Sequence, residues 1–255
     1  MATNRRDGDL GDVAQVVTLT VGSNTNTHTF VTTMNGKSIT VTADGVLTAA
    51  QLASAIQALL DASTIPEFAS VTWTVDSAVV TGTAKTPGKP FSISETGTGT
   101  YTLATPTANV GPEAVDLAGN WSLAATPVAT DDVLIDAGPD LLWGFENVPS
   151  AVYGSVRVLA SFQGGRLGLP YRDEDGDYVQ YRGRALLVGT AVPVTIGEGE
   201  GDGPSLVNLT IATAANVTVL KTGSRAVADT PVVNIAGCSS GTVNVAAGDV
   251  GIAAD

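Results

Sequence analysis

The densest polar stretch of the chain, YRDEDGDYVQYR, sets Asp173, Asp175 and Asp177 at alternate positions around Gly176. Carboxylates at every second position, with a glycine that lets the backbone curl, suit a hard, oxygen-seeking cation. A complete calcium loop would close with a Glu at its twelfth position, and Arg184 stands there instead. The three aspartates are therefore a candidate irregular site for a structural Ca2+, beside the plainer reading of a solvated charged turn. The same stretch interleaves Tyr171, Tyr178 and Tyr181 with Arg172, Arg182 and Arg184. Tyrosine and arginine dominate interface hot spots, so Tyr171, Arg172, Tyr178, Tyr181 and Arg182 form a candidate contact surface. GEGEGDGP repeats the acidic theme with Glu198, Glu200 and Asp202, but the intervening glycines make a floppy turn rather than a cage.

Hydrolytic chemistry needs paired acids or an activated nucleophile. Asp131, Asp132, Asp136, Asp140 and Glu146 cluster in sequence around Trp143, a candidate sugar platform. The structural alternative has Trp121 and Trp143 closing a core. His28 is the single histidine, and it sits in a Thr/Asn-rich stretch with no catalytic partner in sight. Cys238 is the single cysteine, which excludes an intrachain disulfide and a cysteine-based zinc site. GCSSG (Gly237 to Gly241) spells G-x-S-x-G but lies among short β-branched runs with no helix after it, so it is not a nucleophile elbow; the chain contains no P-loop, HExxH or CxxC. The expectation is a protein that is not an enzyme and holds no cofactor beyond that candidate calcium.

Positioning any of these residues falls to a β-rich framework. Among 255 residues, Val, Ala, Thr and Gly supply the bulk and aromatics only 5%. That mixture favours extended chain with frequent turns. The net charge of −13 repels phosphate backbones and argues against direct nucleic-acid binding. Arg5 and Arg6 are followed by no apolar stretch, so no signal peptide is expected, and no run has the length of a membrane span. Synthesis in a cytosol, with no membrane partner, is the resulting expectation.

Along the chain, residues 1–12 read as a flexible arm and residues 13–105 as a small α+β module. Asn35-Gly36 marks a two-residue hairpin. LTAAQLASAIQALLDAS is the one convincing helix: Thr48 and Gln51 have capping-box spacing, Leu47 suits a staple, and Leu52, Ile56, Leu59 and Leu60 make one apolar face. Residues 106–117 read as a proline-marked linker. From 118 to 255 short β-branched runs follow one another, and the last of them repeat. LVNLTIATAANVTVLK aligns over VVNIAGCSSGTVNVAA with a constant offset of 26 positions, placing Asn208 over Asn234 and Val217 over Val243. Such a period predicts a right-handed β-solenoid (β-helix), with Val207, Leu209, Val233 and Ile235 inward and Asn208 and Asn234 stacked outside as contact candidates. A β-sandwich is the competing architecture. The repeat runs to the end of the sequence, and an exposed last layer would need a cover, most simply another copy of the chain.

The segment NWSLAATPVATDDVLIDAGPDLLWGFENV, followed by GRLGLPYRDEDGDYVQYRGRALLVG, resembles a family associated with tailed-phage and prophage structural genes. Asn120, Trp121, Ser122, Pro127, Asp131, Asp132, Val133 and Ile135 fit its opening motif, and the likeness spans roughly residues 14–250. The resemblance implies a virion structural protein, repeated many times per particle and trimeric, partnered by the major capsid or a tail protein. It carries no catalytic residue across. Short length, acidity and an N-terminal module favour a capsid-surface decoration (cement) protein; a tail-attached spike or fibre, or a carbohydrate-binding adhesin module, is the alternative.

Overall fold

A computed structural model describes residues 2–22, 25–45, 47–137, 141–145, 153–168, 185–226, 228–237 and 239–253. The protein is mainly β, with several sheets, and divides into two units: Gly11–Gly111, and Met1–Leu10 together with Pro112–Asp255. Two sequence expectations are corrected here. The N-terminal segment is not a free arm, because β1 (Thr3–Arg5) pairs with a strand more than a hundred residues away. Residues 106–117 are not a loose linker either. Thr107 ends a strand, and Ala114 and Val115 are buried against Trp143 and the apolar core.

The unit Gly11–Gly111 holds a four-stranded antiparallel sheet and a three-stranded one. The first comprises β2 (Val16–Val21), β5 (Val71–Asp76), β6 (Val79–Ala84) and β8 (Tyr101–Thr107), in the order β5-β6-β2-β8. The second comprises β3 (Thr29–Met34), β4 (Lys37–Thr42) and β7 (Ser94–Gly97), in the order β4-β3-β7. Asn35 and Gly36 both take positive φ between Met34 and Lys37, the two-residue hairpin that their identity predicts. Helix α1 (Ala49–Asp61) is closed by the expected capping box: Thr48 Oγ1 accepts from the Gln51 N–H, and the Thr48 N–H donates to Gln51 Oε1. Leu52, Ala53, Ile56 and Leu60 face the core, but Leu59 is half exposed and does not belong to the buried stripe. A one-turn helix, α2 (Pro66–Ala69), leads into β5 and seats Phe68 in the same core.

The second unit is built differently. After β9 (Asp132–Ile135) and β10 (Leu141–Leu142) come β11 (Ser155–Leu159), β12 (Arg166–Leu167), β13 (Leu186–Val188), β14 (Pro193–Glu198), β15 (Leu206–Ile211), β16 (Ala214–Val219), β17 (Val233–Ala236), β18 (Ser240–Val245) and β19 (Val250–Ile252). They form two sheets, β1-β9-β11-β14-β16-β18 and β10-β12-β15-β17-β19, and every pairing in both is parallel. From β9 onward the chain alternates between the sheets, with β12 and β13 pairing consecutive stretches of the same neighbour, β15. The sequence repeat is in register: Asn208 pairs with Asn234, Val217 with Val243 and Val219 with Val245.

Alternation within strands sends Val133, Val156, Val194 and Val217 from one sheet, and Val207, Leu209, Val233 and Ile235 from the other, into a single core. Burying each such side chain contributes roughly 1.5–3 kcal/mol. These stacked aliphatic rows hold the unit together and turn the intervening polar residues outward.

Candidate functional site

Two outward features of the parallel-stranded unit can meet a partner. The first is the solvent face of the six-stranded sheet. Strand register lines up Leu134, Arg157, Thr195, Thr218 and Asn244 in one row and Asp132, Ser155, Pro193, Asn216 and Thr242 in the next. Parallel strands stand about 4.8 Å apart, so the polar members of these rows form a regular lattice of donors and acceptors, interrupted by Leu134 and Pro193. Its charged end is self-satisfied: Ser155 Oγ donates to Asp132 at 2.9 Å, and Arg157 Nε and Nη2 each donate to Glu198 at 2.9 Å. On the other sheet Asn234 Nδ2 donates to Asn208 Oδ1 at 3.1 Å and to the Pro231 carbonyl at 2.8 Å. Asn208 and Asn234 thus stack as their spacing predicts, with their amides partly spent on each other.

The second feature is the edge formed by β1. Asn4 and Arg6 point inward, both essentially buried, and Thr3 and Arg5 point outward. Asn4 lies in register with Val133, so a polar layer terminates the aliphatic rows. Beyond β1 the segment 120–125 folds back: the Ser122 N–H donates to the Arg5 carbonyl, the Arg5 N–H donates to Ser122 Oγ, and Arg6 bridges Trp121 antiparallel. Asn4 Nδ2 donates to the Ala125 carbonyl at 2.9 Å. The Asn120 carbonyl receives Arg6 Nη1 and the Asp7 and Gly8 N–H groups. Outside, Arg5 Nε lies 2.9 Å from Asp136 Oδ2 and 3.0 Å from Oδ1. Arg6 Nε and Nη2 are buried without a hydrogen-bond partner. Burial pushes the Arg6 guanidinium down to about 10, against the opposing pull of Asp7, Asp9 and Glu113.

The sequence misses this edge because Thr-Asn-Arg has no apolar alternation and only Thr3 favours a strand. Its only trace is the polar type of the inward residues, and that opposes the usual burial code.

The remaining candidates separate. Asp173, Asp175 and Asp177, and with them Tyr171, Arg172, Tyr178, Tyr181, Arg182, Asp140 and Glu146, lie outside the described residues. Among the described residues no three His, Cys, Asp or Glu side chains are grouped as a metal site. Trp143 is 2% exposed and cannot offer a sugar platform; Trp121 is equally enclosed, with its Nε1–H donated to the Val115 carbonyl. Each described acid near them has a structural bond. Asp131 Oδ2 accepts the Val128 N–H, Asp132 holds Ser155, and Asp136 holds Arg5. In the glycine-rich turn Asp202 accepts from Gln163 at 2.7 Å. His28 stands in the turn before β3 rather than within a strand, and its Nδ1 accepts the Thr25 N–H at 3.2 Å. An apolar hollow between Trp121, Pro127, Ile135, Phe145, Tyr153 and Leu186 carries one hydroxyl, that of Tyr153. Burial, then the charge of Asp131, pushes it up to about 12. The acids so arranged hold loops and strands in place. The chain matches no protein-family model and no curated protein.

Proposed function

We propose that the parallel-stranded unit is a β-solenoid and that the protein is a structural component of a tailed-phage virion, acting as a capsid-surface decoration protein. The carrying observation is the regular alternation of short strands between two wholly parallel sheets, with identical residues stacked layer on layer. A chain that winds this way buries one continuous core, and each layer bonds only its neighbours. Parallel crossovers are right-handed in nearly every known case, which gives the winding its hand. The product is a stiff rod with a flat, patterned exterior, suited to bridging other proteins.

In this reading the outer polar rows and the loops contact the shell, holding neighbouring capsomers against the pressure of packaged DNA. A net charge of −13 keeps the protein off the DNA itself. The protein acts as a homo-oligomer, a trimer in the reading that the family resemblance suggests, bound to the major capsid protein and located in the virion. The reading calls for no cofactor; Asp173, Asp175 and Asp177 are a candidate site for a structural Ca2+, with a solvated charged turn as the plainer alternative. The adhesin alternative is weakened by the burial of Trp143, its proposed platform.

Purified particles test this directly. A copy number matching the shell, measured by quantitative gel, supports decoration. A copy number matching the tail moves the protein to a spike or fibre, and absence from the particle rejects both placements.

A further inference from the structure

The slot occupied by residues 2–10 is made entirely by residues that follow position 111, yet the chain between them builds a separate unit. The slot is selective. It takes Asn4 and Arg6 inward, meets Asn4 with the Ala125 carbonyl and Arg6 with the Asn120 carbonyl, and clamps Arg5 with Asp136 from outside. It is also weakly closed, since β1 has three residues and Arg6 leaves two buried donors unmet. The connection beyond it passes through Gly11, which is uncrowded: a Cβ there would meet nothing within 4 Å. From these facts we propose that residues 2–10 are an exchangeable strand, and that β1 of one copy occupies the slot of a second copy in a reciprocal pair. The occupant must be this same chain, because the slot reads the side chains of this particular segment. Exchange replaces every contact with an identical one, so its cost is that of the hinge and of bringing two chains together, and it is favoured by concentration. This interaction is independent of whether the protein belongs to a virion.

Two full-length chains, each with Cys238→Ser, decide the matter. One carries Thr3→Cys and the other Asp132→Cys, positions in direct parallel register and within disulfide reach when paired. The two are refolded together and oxidised. The expected result is a disulfide-linked heterodimer, in several-fold excess over a control pair in which Ser54→Cys on the exposed side of α1 replaces Asp132→Cys, and rising with protein concentration. Folded chains that give no excess over the control overturn the proposal. If a cysteine variant does not fold, the unmodified chain is refolded with a synthetic peptide of residues 2–10 and weighed by native mass spectrometry. One peptide bound per chain, at the expense of dimer, upholds exchange; dimers indifferent to the peptide, or none at all, refute it.

Discussion

Arg6 is a cation held in the protein interior, its guanidinium donating from Nη1 to the Asn120 carbonyl at 3.3 Å while Nε and Nη2 have no partner. Its guanidinium falls to about 10 on folding, so the unfolded chain holds the proton more tightly. The resulting cost is constant at neutral pH and is relieved only as pH rises above about 10. Arg6→Met keeps the aliphatic bulk and removes the charge, and should raise the urea-unfolding free energy by about 1 kcal/mol or more. A lower midpoint for that variant would mean that the charge has a partner. The tyrosines have the opposite sign. Burial chiefly pushes Tyr101 up to about 12, as it does Tyr153, while the unfolded phenol ionises near its ordinary value of about 10. Their contribution is complete below about pH 10 and is lost as pH climbs towards 12. Tyr101→Phe should flatten the fall in stability between about pH 9 and about pH 11. Gly197 is fixed by geometry: it is bulged between paired residues of β14 with φ 78°, and a Cβ there would collide with the Lys221 carbonyl oxygen. Gly197→Ala should cost about 2 kcal/mol or more in the same measurement.

At the scale of elements, α1 offers a controlled pair. Leu52→Ala should cost about 2–5 kcal/mol, because Leu52 is wholly enclosed, whereas Leu59→Ala on the same helix should change little. Equal losses at both positions would place Leu59 in a contact absent from the isolated chain. The helix, its cap, the Asn35-Gly36 hairpin and the 26-residue register were all legible in the sequence, since each depends on neighbours within a few positions or on direct repetition. Leu59 misled because a helix covering a sheet needs only a narrow stripe, and the fourth leucine falls past its edge. β1 was illegible for a different cause: its meaning comes from residues 120–136, and nothing local in Thr-Asn-Arg announces a strand. The acids around Trp143 looked reactive because clustering in sequence carries no direction, and the fold gives each described one a backbone or side-chain partner.

At the scale of the whole molecule, the two large apolar cores among the described residues, one in each unit, share no residue. Residues 11–111, excised, should unfold cooperatively in urea with a slope of about 1–3 kcal/mol/M; a gradual, featureless change would show that this unit depends on the rest. The other unit has no such autonomy in sequence, because its outermost strand is encoded ahead of the intervening module. Arg5 must find Asp136, 131 positions downstream. At about 5–20 residues per second a ribosome takes roughly ten seconds to cover that interval. Thr3–Arg5 thus waits unsheltered until residues 120–136 have been made, and in that interval it lies open to proteases, to chaperones and to the nascent chains of a neighbouring ribosome on the same message.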